Sequence, residues 1–217
     1  MGFRLDLHVH TRAHSPCSRI DPEKLIDTAL DRNLDGLVIT EHAVQWAESD
    51  LAALAARAGA PSFVLLAGFE YASRRGDLLV YGLSDARVRD FPPNLSPADA
   101  VRRIGDLGGV CIAAHPTRCG LGFDEELLGL PVDAIEVASS NLQPHEQRLA
   151  LRLAELVGKP GIAASDAHAL NDVGRYATVF DDPVRSVADL QAALRNGRFV
   201  GEGVMPRGQQ ERDSAGE

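Results

Sequence analysis

The chain has 217 residues, 45% of them hydrophobic, which is enough for one well-buried domain or two small ones. Its 31 acidic residues outnumber its 22 basic residues and give a net charge of −9, which argues against binding of nucleic acid or a membrane surface through charge alone. No apolar stretch is long enough to cross a bilayer and no signal peptide opens the chain, so we expect a cytoplasmic protein whose three cysteines are free thiols.

Short β-like runs alternate with amphipathic segments along most of the chain. Helix starts are indicated where a capping side chain precedes proline, as at Asp21-Pro22 and Ser96-Pro97. The predicted strands are residues 4–10, 36–40, 62–71, 78–83, 109–114, 134–139, 161–165 and 176–180. The predicted helices are residues 23–32, 43–58, 97–107, 145–157 and 187–196.

Repeated strand–helix units predict an α/β fold in which helices lie outside a parallel sheet. Seven or eight parallel strands suit a small barrel that is closed or nearly closed. We expect a single barrel domain over residues 1–204 and a polar, disordered tail over residues 205–217.

Two histidines, His8 and His10, lie two residues apart in the first predicted strand. Residues i and i+2 of a strand point to the same face, so the two imidazoles should aim at one point. Leu5, Leu7 and Val9 are then predicted to face the opposite way, into a core. Two imidazoles that converge at the end of a strand form half of a divalent-metal site.

Side chains of the same chemistry follow the later predicted strands, at the point where each strand ends. The active site of a parallel α/β barrel lies at this end of its strands, so these side chains should meet at one rim. The alternative to a metal site is that several of the histidines only form hydrogen bonds with loop backbone. The residues concerned are Glu41, His42, Glu70, His115, Asn141, Asp166 and His168.

These residues fall in an ordered set of short motifs: Asp6-Leu7-His8-Val9-His10-Thr11, Thr40-Glu41-His42, Glu70, His115-Pro116 and Ser165-Asp166-Ala167-His168. The set resembles the motifs of the PHP (polymerase and histidinol phosphatase) family. The His-x-His motif alone is shared with amidohydrolases, whereas the whole ordered set is specific. The resemblance implies a distorted (β/α)7 TIM-like barrel with its active site at the C-terminal ends of the strands.

The resemblance also implies two or three divalent metal ions at the mouth of the barrel. Nitrogen and carboxylate ligands favour Zn, Mn or Fe over Mg or Ca. Glu70 would bridge the first and second ions, and the spacing of His14 departs from the family pattern. The implied ligands are His8, His10, Glu70 and Asp166 for the first ion, Glu70 and His115 for the second, and His42, His168 and His14 for the third.

Such a centre predicts a metal-dependent phosphoesterase, because two ions can activate a water and clamp the oxygens of an in-line displacement. Glu70 would set the metal separation, and His168 or His42 would protonate the leaving oxygen. Arg118 and Arg175, followed by Arg19, are the predicted phosphate ligands.

The expected substrate is a small phosphomonoester, a nucleotide or the end of a short oligonucleotide. We expect no membrane partner and no stable nucleic-acid complex. Asp6 and Glu41 are expected to orient an imidazole, and Glu136 to form either a salt bridge in the barrel mouth or a metal contact. The alternatives are an amidohydrolase-type enzyme that cleaves C–N bonds, and a metal-binding module without catalysis.

Overall fold

The computed structural model describes residues 2–123, 127 and 129–202, and the predicted tail lies outside these residues. All nine of their strands belong to one sheet, in the order β7-β6-β5-β4-β3-β2-β1-β8-β9. The strands are β1 (Phe3–Val9), β2 (Gly36–His42), β3 (Val64–Ala72), β4 (Asp77–Tyr81), β5 (Val110–Ala114), β6 (Ala134–Ala138), β7 (Gly161–Ala163), β8 (Thr178–Phe180) and β9 (Phe199–Gly201). The helices are α1 (Pro22–Asp31), α2 (Glu48–Arg57), α3 (Asp85–Arg89), α4 (Pro97–Asp106), α5 (Pro144–Val157) and α6 (Val187–Asn196).

The sheet curls until its two sides almost meet. A parallel bridge joins Val9 to Ala167, and the backbone N–H of His10 donates to the carbonyl of Ala167 over 3.1 Å. The hydroxyl of Thr178 bonds to both backbone groups of Ala163 and so ties β8 to β7. The expected TIM-like α/β barrel is confirmed, in a nearly closed form.

The sheet is mixed, so the prediction of a parallel sheet is wrong in part. β4 runs antiparallel to both β3 and β5, and β8 runs antiparallel to β1. A tight turn explains the reversal at β4, since the backbone N–H of Ser73 donates to the carbonyl of Gly76 over 3.2 Å. A parallel connection would need a crossover of a dozen or more residues. The start of β4, rather than its end, therefore lies at the rim of the barrel.

A register shift in β1 changes which side chains face the interior. The pairing of β1 with β2 slips between Asp6 and Val9, so the alternation of side chains reverses there. Leu5 and Leu7 pack in the interior cluster, whereas Val9 packs against the outer helices. The prediction that all three face away from the histidines is therefore wrong for Leu5 and Leu7.

The interior of the barrel is apolar below the rim. Leu66, Leu79 and Ile112 pack there, and α6 adds Leu190 and Leu194. Burial of these side chains stabilises the barrel and leaves the polar ends of the strands at one rim. None of the helices in the described part of the chain has the length and apolarity that a membrane span requires.

The predicted elements differ from the observed ones mainly at loops. α2 begins at Glu48, five residues later than predicted, because the chain first crosses the rim. Ala43 lies in the left-handed region at φ 55° and donates its N–H to the carbonyl of Glu70 over 2.8 Å. The short elements α3 and β9 were not predicted.

Candidate metal centre

Four side-chain atoms converge just above the apolar interior. Nε2 of His8 lies 3.0 Å from Nε2 of His10, 3.6 Å from Oε2 of Glu70 and 3.3 Å from Oδ1 of Asp166. Nε2 of His10 lies 3.3 Å from the same Glu70 oxygen and 3.4 Å from the same Asp166 oxygen. Ligands about 2.0–2.1 Å from a tetrahedral zinc ion lie about 3.3–3.4 Å from one another. These atoms therefore fit the coordination shell of one divalent ion.

The outer nitrogens of the two histidines show which atoms face the ion. Nδ1 of His8 lies 3.0 Å from Oε1 of Glu136, and Nδ1 of His10 lies 3.3 Å from the hydroxyl of Ser15. A proton on each Nδ1 leaves a lone pair on each Nε2. Two lone pairs 3.0 Å apart repel unless a cation lies between them, so this pocket requires a proton or a metal ion.

A second group of ligand atoms forms around the other oxygen of Glu70. Nε2 of His115 lies 3.1 Å from Oε1 of Glu70 and 3.9 Å from Oδ2 of Asp77. Glu70, Asp77 and His115 form one of the groups whose geometry could hold a metal ion. Glu70 belongs to the first group as well, which places it between two candidate ion positions.

Asp77 was not among the predicted site residues. A parallel sheet would bring only the C-terminal ends of its strands to the rim, whereas Asp77 is the first residue of the antiparallel strand β4. The signal in the sequence is an aspartate that directly follows Gly76 in a short turn between two strands. The sequence has no histidine between Glu70 and His115, and Asp77 is the side chain from that stretch that joins them.

A third group consists of His10, His42 and His168. The rings of His42 and His168 each stack against His10, at 4.4 and 4.5 Å between centroids, and lie 6.2 Å from one another. One imidazole nitrogen binds a single ion, so His10 cannot serve this group and the first group at once. His14 joins none of the groups among the described residues. It is exposed and packs edge-on against Trp46 at 5.3 Å.

The charges of the metal-free centre compensate one another. Burial lowers the pKa of His8, but the carboxylates of Asp166 and Glu136 raise it overall, and the pKa of His10 is also raised. Burial raises the pKa of Glu70, but His8 and His10 lower it well below its usual range. The raised pKa values of the imidazoles and the lowered pKa of Glu70 thus share one cause, the close approach of these side chains.

The backbone is strained where the strands deliver these side chains. His115 and Asp166 have positive φ angles of 29° and 49°, which non-glycine residues rarely adopt. Side chains hold both positions: Oε2 of Glu136 accepts the N–H of His115 over 2.7 Å, and Nδ2 of Asn141 donates to the carbonyl and to Oδ2 of Asp166 over 2.9 and 2.7 Å.

Two further buried carboxylates bond to backbone N–H groups and to other side chains rather than to imidazole rings. Asp6 accepts the N–H groups of Ser165 and Gly174 over 2.8 and 2.9 Å, and burial raises its pKa to about 6. Glu41 accepts bonds from Thr11 and from Nε1 of Trp46. The expectation that they orient an imidazole is therefore corrected: they fix the rim loops.

The centre opens into a cleft of about 380 Å³. Arg118 lines this cleft, with Nη1 3.9 Å from Oδ2 of Asp166. Arg175 and Arg19 are exposed and do not line the cleft. Nη1 of Arg175 lies 3.9 Å from Oδ1 of Asp172. The backbone N–H of Arg19 donates to the carbonyl of His168. The other lining residues are Cys17, His42, Glu70, Asp77, His115, Leu121, Asn141, Asp166 and His168.

Comparisons with known proteins agree with this architecture. A family model described as PHP-associated matches residues 144–199. An uncharacterized protein of Methanocaldococcus jannaschii is 24% identical over 145 residues, which are 62% of this chain and 81% of that protein.

Two solved structures have a similar fold. A two-domain protein of Bacteroides vulgatus, described as containing a predicted PHP-like metal-dependent phosphoesterase, matches with a TM-score of 0.71 and 21% identity over 93% of this chain and 64% of that one. The lesion-specific endonuclease PfuEndoQ of Pyrococcus furiosus matches with a TM-score of 0.65 and 14% identity over 93% of this chain and 58% of that one. The chain thus spans less than two thirds of the length of either.

The nearly closed α/β barrel carries at its rim groups of side chains whose geometry fits divalent metal ions. The PHP-associated match over residues 144–199 and the fold shared with a PHP-like protein agree with the resemblance that the ordered motifs indicated.

Proposed function

We propose that the protein is a metal-dependent phosphoesterase that hydrolyses a small phosphomonoester, a nucleotide or the end of a short oligonucleotide. The observation that carries this proposal is the position of Glu70, whose two oxygens face two different groups of ligand atoms. His8, His10, Glu70 and Asp166 would hold one ion, as their mutual distances allow, and Glu70, Asp77 and His115 a second. Zn, Mn and Fe suit these nitrogen and carboxylate donors.

Two ions held in this way would supply an activated water and a clamp on the phosphate oxygens. Glu70 belongs to both groups and would therefore set the separation of the two ions. Burial lowers the pKa of His168, which favours its neutral form and suits it to ligation, with its Nδ1 3.0 Å from the carbonyl of Asp166. His42 is 48% exposed on the side of the cleft and is the better placed of the two to protonate a leaving oxygen.

The cleft itself favours a small substrate. Its volume of about 380 Å³ lies near the lower end of the roughly 300–1,000 Å³ that ligand sites occupy. Arg118 offers a guanidinium fork that matches phosphate oxygens in pairs. The similar fold of an endonuclease supports an oligonucleotide end as one form of this substrate. Arg175 and Arg19 would serve longer substrates at the outer rim.

The same proposal includes a third ion at His42 and His168, with His14 as the further ligand that the sequence offers. This third position has fewer ligands than the other two. A cytoplasmic location is also proposed, and the free thiols of Cys17, Cys111 and Cys119 favour it.

The proposal is tested by assaying the purified protein against aryl phosphates, nucleotides and short oligonucleotides, with Mn, Zn or Fe added separately. We expect hydrolysis of phosphate esters that is lost in His10→Ala. Turnover of amides alone would instead support the amidohydrolase alternative. Metal binding without turnover of any substrate would support a non-catalytic module.

A further inference from the structure

The carboxylate of Glu136 contacts two of the candidate ligands without being one itself. Oε1 lies 3.0 Å from Nδ1 of His8, and Oε2 lies 2.7 Å from the backbone nitrogen of His115. His8 belongs to the first group of ligand atoms and His115 to the second, and the two histidines also form a group with Asp166 that could hold an ion. Among the described residues, Glu136 is in none of the groups that could hold an ion. One side chain on β6 thus connects the two halves of the centre.

The two contacts fix two different properties. The contact with Nδ1 keeps the proton of His8 on the outer nitrogen, so that Nε2 presents its lone pair to the first ion. The contact with the N–H of His115 holds a residue whose φ of 29° is strained, and so sets the direction of its ring. Nε2 of that ring then lies 3.1 Å from Oε1 of Glu70.

The environment of Glu136 leaves little freedom for another role. Its side chain is fully buried, and the ion pairs of the described residues give it no Lys or Arg partner, only His8. A buried carboxylate without a Lys or Arg partner is costly unless its oxygens accept strong hydrogen bonds. Both oxygens of Glu136 are used in this way, one for each half of the centre.

We infer that Glu136 is a positioning residue that couples the two metal subsites, orienting His8 for the first ion and His115 for the second. The inference rests on the metal centre of the proposed function. It leads to a specific expectation: loss of one carboxylate should weaken both subsites together, although it removes no ligand.

The test is Glu136→Gln, measured by calorimetric titration of the metal-stripped protein with Zn²⁺ and by elemental analysis of bound zinc. A glutamine has nearly the same shape, but its NH2 group cannot accept the hydrogen bond at one contact and its neutral oxygen is a weaker acceptor than a carboxylate at the other, so both contacts suffer. We expect the affinity for both ions to fall by roughly 10–100-fold, as is usual when a partner of a metal ligand is removed.

Asp133→Asn is the matched control. Asp133 also accepts a backbone N–H of β5, that of Cys111 over 2.8 Å, but at the end of the strand far from His115. The Asp133→Asn variant should bind zinc with the affinity of the unaltered protein. If Glu136→Gln does not fold, as judged by circular dichroism, Glu136→Asp is used, because its shorter side chain keeps the charge but cannot span both contacts.

A second readout separates positioning from general stability. In the zinc-loaded protein labelled with ¹⁵N, the Nδ1–H of His8 should give a downfield proton signal that shifts in Glu136→Gln and not in Asp133→Asn. Unchanged affinity for both ions, weakening of one ion alone, or equal weakening in the control would overturn the inference. A protein that binds both ions but hydrolyses no phosphate ester would overturn the proposed function and leave this inference intact.

Discussion

At the scale of single residues, Glu70 and His14 differ most in their contacts with the other candidate ligands. Oε2 of Glu70 lies 2.9 Å from Nδ1 of His42 and 3.3 Å from Nε2 of His10, and Oε1 lies 3.1 Å from Nε2 of His115. His14 is exposed and contacts Trp46 instead. Both were candidate ligands from the sequence, and the tertiary structure separates them.

Replacing Glu70 with Gln should therefore lower activity far more than replacing His14 with Ala. The loss in Glu70→Gln should exceed the roughly 10–100-fold that is typical when only a partner of a ligand is changed, because an oxygen facing each ion is affected. The measurement is kcat/KM on one phosphate ester at saturating metal, with bound metal counted in both variants. Equal losses would contradict the roles assigned to these two residues.

At the scale of elements, the start of α5 holds the rim loop that carries Arg118. Oε1 of Glu146 accepts the N–H of Cys119 over 2.8 Å, and the backbone carbonyl of Glu146 accepts the hydroxyl of Thr117 over 2.7 Å. The other oxygen, Oε2, accepts the N–H of Gln143 and completes the cap of the helix. The helix start and the loop are thus fixed by one carboxylate.

Glu146→Gln should loosen this loop, because its amide keeps one acceptor oxygen where two are needed. We expect a higher KM for the phosphate ester with a smaller change in kcat, and a loss of about 1 kcal/mol in the free energy of unfolding. Enzyme kinetics and urea unfolding measure the two effects. Glu155→Gln, on the exposed side of the same helix, is the control. A fall in kcat alone would argue against a role of this loop in substrate binding.

At the scale of the whole molecule, the buried charges of the centre link stability to pH and metal. The pKa values of His8, His10 and His115 are raised, so their contribution to the stability of the metal-free protein is present below about 6.5 and is lost as pH rises through the raised values. Those of Glu70 and Asp166 are lowered, so their contribution is present above their usual pKa values and is lost as pH falls.

The metal-free protein should therefore lose stability as pH is raised from 6 to 8, whereas the metal-loaded protein should not. Metal ligands must be deprotonated, so binding strengthens over the same range. The increase in Tm caused by added zinc should be larger at pH 8 than at pH 6, as measured by scanning calorimetry of stripped and reloaded samples. His14→Ala is the control and should show the same dependence. If the rise in Tm caused by zinc is smaller at pH 8 than at pH 6, the assignment of these imidazoles as ligands is contradicted.

The sequence by itself determined the kind of fold and most of the chemistry at its rim. Its strand–helix alternation predicted an α/β barrel, and the strand-end positions of His8, His10, Glu70, His115 and Asp166 predicted their convergence, because strand ends meet at one edge of a barrel. These inferences need only local periodicity and the order of elements along the chain.

The tertiary structure alone decided the direction and register of the strands. The reversal of β4 brings Asp77 to the rim, and the shift in β1 places Leu5 and Leu7 beneath the histidines. It also leaves His14 outside the centre and puts Glu136 between its two halves. Such contacts join residues far apart in the chain, and pairing between strands, rather than any local pattern, sets which of them meet.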